Sequence, residues 1–196
     1  MPDQLDHLTE FERAAADFAA ALGWVDPTAA VPACPGWTVA DLTLHLGSGQ
    51  PWAASILRRR LHETVIHLVD LVQAGAAAGE QVDPGLARPL AAVAADGVDE
   101  VFGVFLPRLR ARGFAPAVTR QVGVRATDTG HEWTLTPVSE GNPPTVERGK
   151  AVGEAVLSGT AADLDLCLWK RLPPTVLTVD GDPAVGRDFL SGKATA

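Results

Sequence analysis

At 196 residues the chain is long enough for one compact domain, or for two small ones that share a core. Hydrophobic residues make up 46% and charged residues 20%, the balance of an ordered globular protein. The net charge is -8 and Arg58-Arg59-Arg60 is the one basic cluster that stands out, which argues against nucleic acid. No apolar run approaches the roughly 20 residues that a membrane helix needs, so no membrane partner is expected.

Leu8, Phe11, Ala15, Phe18 and Leu22 recur at three- and four-residue steps and predict an amphipathic helix over about residues 4–22. A Pro- and Ala-rich loop follows, ending in Cys34-Pro35-Gly36-Trp37. Thr38 is a good N-cap with Asp41 three residues on, and Trp37 and Leu42 are placed to staple the entry of a second helix. Gly47-Ser48-Gly49-Gln50-Pro51 interrupts or kinks it. A third helix is expected from about Trp52 to Gln73, fading into Ala74–Gly79.

Asp83-Pro84 reads as the start of a further helix, with Asp as cap and Pro in the first turn. Leu86, Leu90, Val93, Val101, Phe102, Phe105 and Leu109 would form its apolar face. After Gly113 the pattern changes to strands: Val118–Thr127, His131–Val138, Thr145–Arg148, Ala155–Gly159 and Val176–Val179. Thr160 with Asp163 caps a helix through Trp169, and a short helix is expected over Asp182–Leu190. The sum is an α+β chain, with a helical unit over 1–80 and an α+β unit over 81–196.

The chemistry concentrates in His62-Glu63-Thr64-Val65-Ile66-His67 and in His45. Glu63 and His67 stand four apart, so on a helix they share one face. Two histidines and one carboxylate form a known catalytic zinc set that keeps a position open for water or substrate. His62 is rotated about 100° from Glu63, which suggests a surface residue or one backing the ligands. Asp41 lies four before His45, but capping explains it without a metal. His131, beside Glu132 and Trp133, reads as an exposed strand residue.

Two cysteines, Cys34 and Cys167, are too few for a disulfide framework and fit a reducing cytoplasm. The Met1-Pro2-Asp3-Gln4 start has neither the basic residues nor the apolar stretch of a signal peptide. Cys34, with nothing basic around it in sequence, reads as an inert thiol, and Cys167 among leucines as core. Arg58-Arg59-Arg60 reads as a solvated face able to attract an anion.

Cys34-Pro35-Gly36-Trp37-Thr38-Val39-Ala40-Asp41-Leu42 followed by His45-Leu46-Gly47 resembles the N-terminal signature of mycothiol-dependent maleylpyruvate isomerase-like proteins. His62-Glu63-Thr64 with His67 is similar to that family's second metal motif. Leu164–Pro173 and Val179-Asp180-Gly181-Asp182 are similar to its C-terminal domain. The resemblance implies a DinB-like helical bundle, here lacking a helix, followed by a small sterol-carrier-like α+β domain. It implies His45, Glu63 and His67 as ligands of a divalent metal, usually zinc, and mycothiol as the thiol cofactor. The implied activity is isomerisation or thiol transfer on a small electrophile such as maleylpyruvate. Arg171, in the tail motif, is a candidate for orienting a substrate carboxylate. The alternative reading is a non-catalytic small-ligand binding or interaction protein with a vestigial metal site.

The segment between the two metal motifs, Leu46 to His62, is short for this family. A continuous helix would set His45 and Glu63 about 27 Å apart, and a tight hairpin at Gly47–Pro51 would leave them some 15 Å apart. Closure within one chain is therefore not expected. A homodimer would restore it, with two long kinked helices antiparallel about Ala54 and Ser55 and His45 of one chain facing Glu63 and His67 of the other.

Overall fold

The computed structural model describes residues 5–47, 54–114, 118–139 and 142–195. The chain divides into two compact units, 1–89 and 90–196. Among the described residues no helix is long and apolar enough to cross a membrane.

The first unit is helical. Its elements are α1 (His7–Leu22), α2 (Val39–Gly47) and α3 (Ala54–Ala77). Thr38 and Asp41 cap α2 reciprocally. The Thr38 amide donates to Asp41 Oδ2 at 2.9 Å and the Asp41 amide to Thr38 Oγ1 at 3.3 Å. The Thr38 hydroxyl, donating to Asp41 Oδ2 at 2.7 Å, and then the Thr38 amide hold the Asp41 carboxyl below its usual range, so Asp41 serves as the cap that its spacing suggests. Phe18 and Ala21 of α1, Val39 and Leu42 of α2, and Leu68, Leu71 and Val72 of α3 form one core, with Trp37 packed against it. The Ala30–Thr38 bridge closes the loop before α2. The expected kink at Gly47–Pro51 falls largely on residues outside those described.

The helix expected from Asp83 to Leu109 is broken. Asp83 does cap, accepting from the Gly85 amide, but only a 3-10 turn over Pro84–Ala87 follows. Pro89 then offers no N–H and disfavours a helical Arg88, so the chain runs extended there and restarts at α4 (Ala91–Glu100). A π-helical turn over Val101–Phe105 joins α4 to α5 (Leu106–Ala111).

The second unit adds a five-stranded sheet: β1 (Val122–Ala126), β2 (Glu132–Thr136), β3 (Thr145–Arg148), β4 (Ala155–Gly159) and β5 (Thr178–Gly181). Its order is β3-β2-β1-β4-β5, with β1 and β4 parallel and the other pairs antiparallel. Helices α6 (Ala161–Leu168) and α7 (Pro183–Ser191) complete the unit. Thr160 caps α6, its Oγ1 accepting from the Asp163 amide at 3.1 Å, as the sequence implies. An N-terminal helical region followed by a small α+β unit is thus the architecture that the patterning predicts.

His131 corrects its expectation. It is half-buried, and its ring stacks on Trp133 with centroids 5.8 Å apart. Cys167 is core, 2% exposed.

Between α4 and α6 the fold buries an acid. The Asp165 carboxyl lodges against Gly97, where a Cβ would stand 2.8 Å from Oδ2, and its Oδ1 has no hydrogen-bond partner among the described residues. Burial first, and then the neighbouring Glu100 carboxyl, raise its pKa well above the ordinary value. A raised folded-state pKa means that the folded chain holds this proton more tightly than the unfolded chain. Stability is therefore highest below the ordinary carboxylate range and falls as pH climbs toward the raised value. Asp165→Asn removes the ionisation and keeps the acceptor facing the Trp169 side chain. The variant is expected to gain about 1–3 kcal/mol over wild type on the alkaline side, the gap closing below about pH 4. Urea unfolding at a series of pH values checks this, and parallel curves would refute it.

Candidate metal centre

His45, Glu63 and His67 converge. Each offers one ligand atom, and the three atoms lie within 4.8 Å of one another. His45 Nε2 and Glu63 Oε1 are 2.6 Å apart, and the His45 and His67 rings meet edge to face with centroids 5.4 Å apart. This corrects the expectation that one chain could not close the set. That expectation assumed a tight hairpin, which pairs the last turn of α2 with the first turn of α3. The seven peptide steps from Gly47 to Ala54 can instead span up to roughly 24 Å. That exceeds the about 13.5 Å that α3 climbs between Ala54 and Glu63. His45 therefore reaches Glu63 in its own chain, and convergence of these residues needs no exchange of helices. The small-residue contact imagined at Ala54 and Ser55 involves side chains outside those described.

Local structure aims each donor. Glu63 and His67 share one face of α3 through their four-residue spacing. His45 is in the last turn of α2 and packs edge-on against Trp37, centroids 5.1 Å apart. Trp37 thus both packs at the entry of α2 and flanks the histidine that α2 carries. The His45 side chain is 40% exposed, against 13% for Glu63, so the set is open to solvent on the α2 side.

Three neighbours were not legible as partners. Asp70, fully buried, faces His67 Nδ1 from its Oδ2 at 2.9 Å. A carboxylate behind a histidine fixes the tautomer and orientation of the ring, leaving Nε2 as the nitrogen free to ligate. The signal was present as His-x-x-Asp, since three residues apart is also one helix face. Cys34 donates from Sγ to the same Asp70 oxygen at 3.5 Å, so the thiol is not a bystander in its loop. Arg60 donates to Glu63 Oε2 at 3.1 Å, so one member of the basic triplet pairs with the Glu63 carboxylate rather than facing solvent alone. No sequence rule pairs Cys34 with Asp70, because 36 residues separate them.

For His62 the structure removes one of the two expected alternatives, the surface residue. It is 2% exposed and therefore buried, not at the surface. Its neighbours Leu61, Val65 and Ile66 are buried too, so α3 is enclosed on that side as well as on the core side. Arg171 lies in the second unit, where its Nη1 donates to the Trp169 carbonyl at 2.7 Å.

The profile for the mycothiol maleylpyruvate isomerase N-terminal domain matches residues 8–130, and that for the MDMPI C-terminal domain matches residues 92–187. The chain belongs to the mycothiol maleylpyruvate isomerase-like family. Its N-terminal match contains the whole His45–Glu63–His67 set. No curated protein matches the sequence. Among solved structures, the stereoselective inverting sec-alkylsulfatase Pisa1 from Pseudomonas sp. is 13% identical with a TM-score of 0.39. The match covers 96% of this chain and 32% of that one. A double mutant of the same sulfatase is 14% identical with a TM-score of 0.38, again over 96% and 32%. The chain thus spans about a third of the length of these structures.

Proposed function

We propose that this family member is a divalent-metal-dependent, mycothiol-using isomerase or thiol transferase acting on a small electrophile such as maleylpyruvate. The observation that carries the reading is the convergence of two imidazoles and one carboxylate in a single chain, on the motifs of a mycothiol family. That donor set fits a catalytic divalent cation, zinc above all, because it leaves one position open. His45, Glu63 and His67 would hold the ion. When bound, such an ion lowers the pKa of a coordinating thiol and so supplies a thiolate nucleophile at neutral pH.

The remaining work falls to side chains of this chain. Asp70 holds the proton of His67 on Nδ1 and keeps Nε2 as the ligating atom. Arg60 offsets the charge of Glu63 and adds positive potential beside that carboxylate. The half-exposed His45 leaves room for a thiol and a substrate to enter from solvent.

The test is metal content per chain on purified protein of known oligomeric mass, with mycothiol-dependent consumption of maleylpyruvate measured on the same sample. About one metal per chain with turnover supports the proposal. Metal-free protein without turnover refutes it and favours the ligand-binding alternative.

A further inference from the structure

A second donor set lies against the first. Cys34, His67 and Asp70 also bring one ligand atom each within 4.8 Å of one another. Asp70 Oδ2 is 3.5 Å from Cys34 Sγ and 2.9 Å from His67 Nδ1. Around a tetrahedral zinc, with bonds of about 2.3 Å to sulfur and 2.0–2.2 Å to nitrogen or oxygen, sulfur and oxygen stand about 3.6 Å apart and nitrogen and oxygen about 3.4 Å. The observed spacings fall within about half an ångström of those values. The set is also held in place. The Cys34 amide donates to Val31 O at 3.0 Å and its carbonyl accepts from the Trp37 amide at 3.0 Å. Gly36 takes the left-handed φ of +86° that the turn requires. The other two donors sit one turn apart on α3, and the half-buried thiol marks a side from which an ion can enter.

We propose that Cys34, Asp70 and His67 form a second cation position that takes a thiolate-preferring divalent ion, as an alternative to the His45–Glu63–His67 position. Sulfur, imidazole and carboxylate together suit zinc, cobalt or cadmium and not magnesium or calcium. The two positions exclude each other because a neutral imidazole has one lone pair. With its proton on Nδ1, His67 donates to Asp70 and ligates through Nε2. With its proton on Nε2, the Nδ1 lone pair faces Asp70 and Cys34. Occupying the second position releases the Cys34 thiol proton to solvent and replaces the S–H bond to Asp70 with metal–sulfur and metal–oxygen bonds. The position shares His67 with the proposed catalytic set but does not need that set to be catalytic.

Cobalt(II) and cadmium(II) titrations followed by absorbance test it, since thiolate ligation gives a ligand-to-metal charge-transfer band that imidazole and carboxylate lack. Cys167 is a silent control, its buried thiol pushed up to about 11 and donating to the Pro173 carbonyl. In His45→Ala/Glu63→Gln, checked for helicity, one cobalt per chain with a full charge-transfer band is expected, and adding Cys34→Ser abolishes it. In wild type, cadmium is expected to give the band at one equivalent per chain, and Cys34→Ser to lose it while Cys167→Ser keeps it. The wild-type experiment stands even where the double variant does not fold. Cobalt bound without any charge-transfer band, or a band that survives Cys34→Ser, overturns the proposal. Two equivalents per wild-type chain overturn the exclusion. Cys34→Ser protein that keeps one cobalt shows the first position intact, so its fate is read separately.

Discussion

In a Cys34→Ser background, which removes the Cys34–Asp70–His67 position, Glu63→Gln is expected to leave the protein folded and stripped of its proposed divalent metal, with mycothiol-dependent turnover lost in step. Gln fills the same volume and can still accept from Arg60, so helicity should be unchanged. What disappears is the anionic oxygen that stands 2.6 Å from His45 Nε2, one of three protein donors. Losing a group that merely orients a ligand costs roughly 10–100-fold in metal affinity. Losing a ligand should cost more. Asp70→Asn supplies the comparison, because it touches His67 and not the ion of the proposed set. The expected order of metal affinity in that background is the Cys34→Ser parent, then Asp70→Asn lower by about 10–100-fold, then Glu63→Gln lower still. Competition with a chromophoric chelator measures all three. Equal affinity of the Cys34→Ser parent and its Glu63→Gln variant would remove Glu63 from the ligand set, whatever the activity shows.

Trp133→Ala should be the most damaging single truncation in the second unit. Trp133 is 1% exposed on the interior strand β2, opposite Val124 of β1, with Phe102 edge-on at 5.8 Å between centroids. Its Nε1–H donates to Asp99 Oδ1 at 3.1 Å, tying β2 to α4. Removing the indole opens a cavity that the packed sheet cannot collapse, at a cost of about 3–5 kcal/mol. Asp99 is left with the Arg148 guanidinium, which donates to both of its oxygens at 2.6 and 2.9 Å, so the acid is not orphaned. Trp133→Phe keeps most of the volume and loses that hydrogen bond, so it should cost far less, about 1–2 kcal/mol. Urea unfolding of the three proteins checks the ranking. A loss below 1 kcal/mol for Trp133→Ala would mean that the sheet can close over the gap.

The elements were largely legible, each for a local reason. The Thr38–Asp41 and Thr160–Asp163 pairs marked helix starts because a cap and its partner lie within one turn. The strand runs stood out because Asp128-Thr129-Gly130 and the Pro-rich stretch near 143 punctuate them. The broken helix at 84–90 was misjudged because apolar spacing outweighed Pro89, whose missing N–H and ring clash end a helix whatever the periodicity. The choice between a surface and a buried His62 stayed open because helical rotation tells which residues share a face but not how many faces are covered.

Sequence by itself determined the family, the two-part α+β architecture and the identity of the three converging donors, since those depend on residue types and short spacings. Tertiary structure alone decided that the donors meet within one chain, because a meeting of side chains from two helices depends on how those helices pack and not on any local preference. It also decided that Asp70 joins Cys34 to His67, a contact between residues 36 apart that forms only once the Cys34 loop packs on α3.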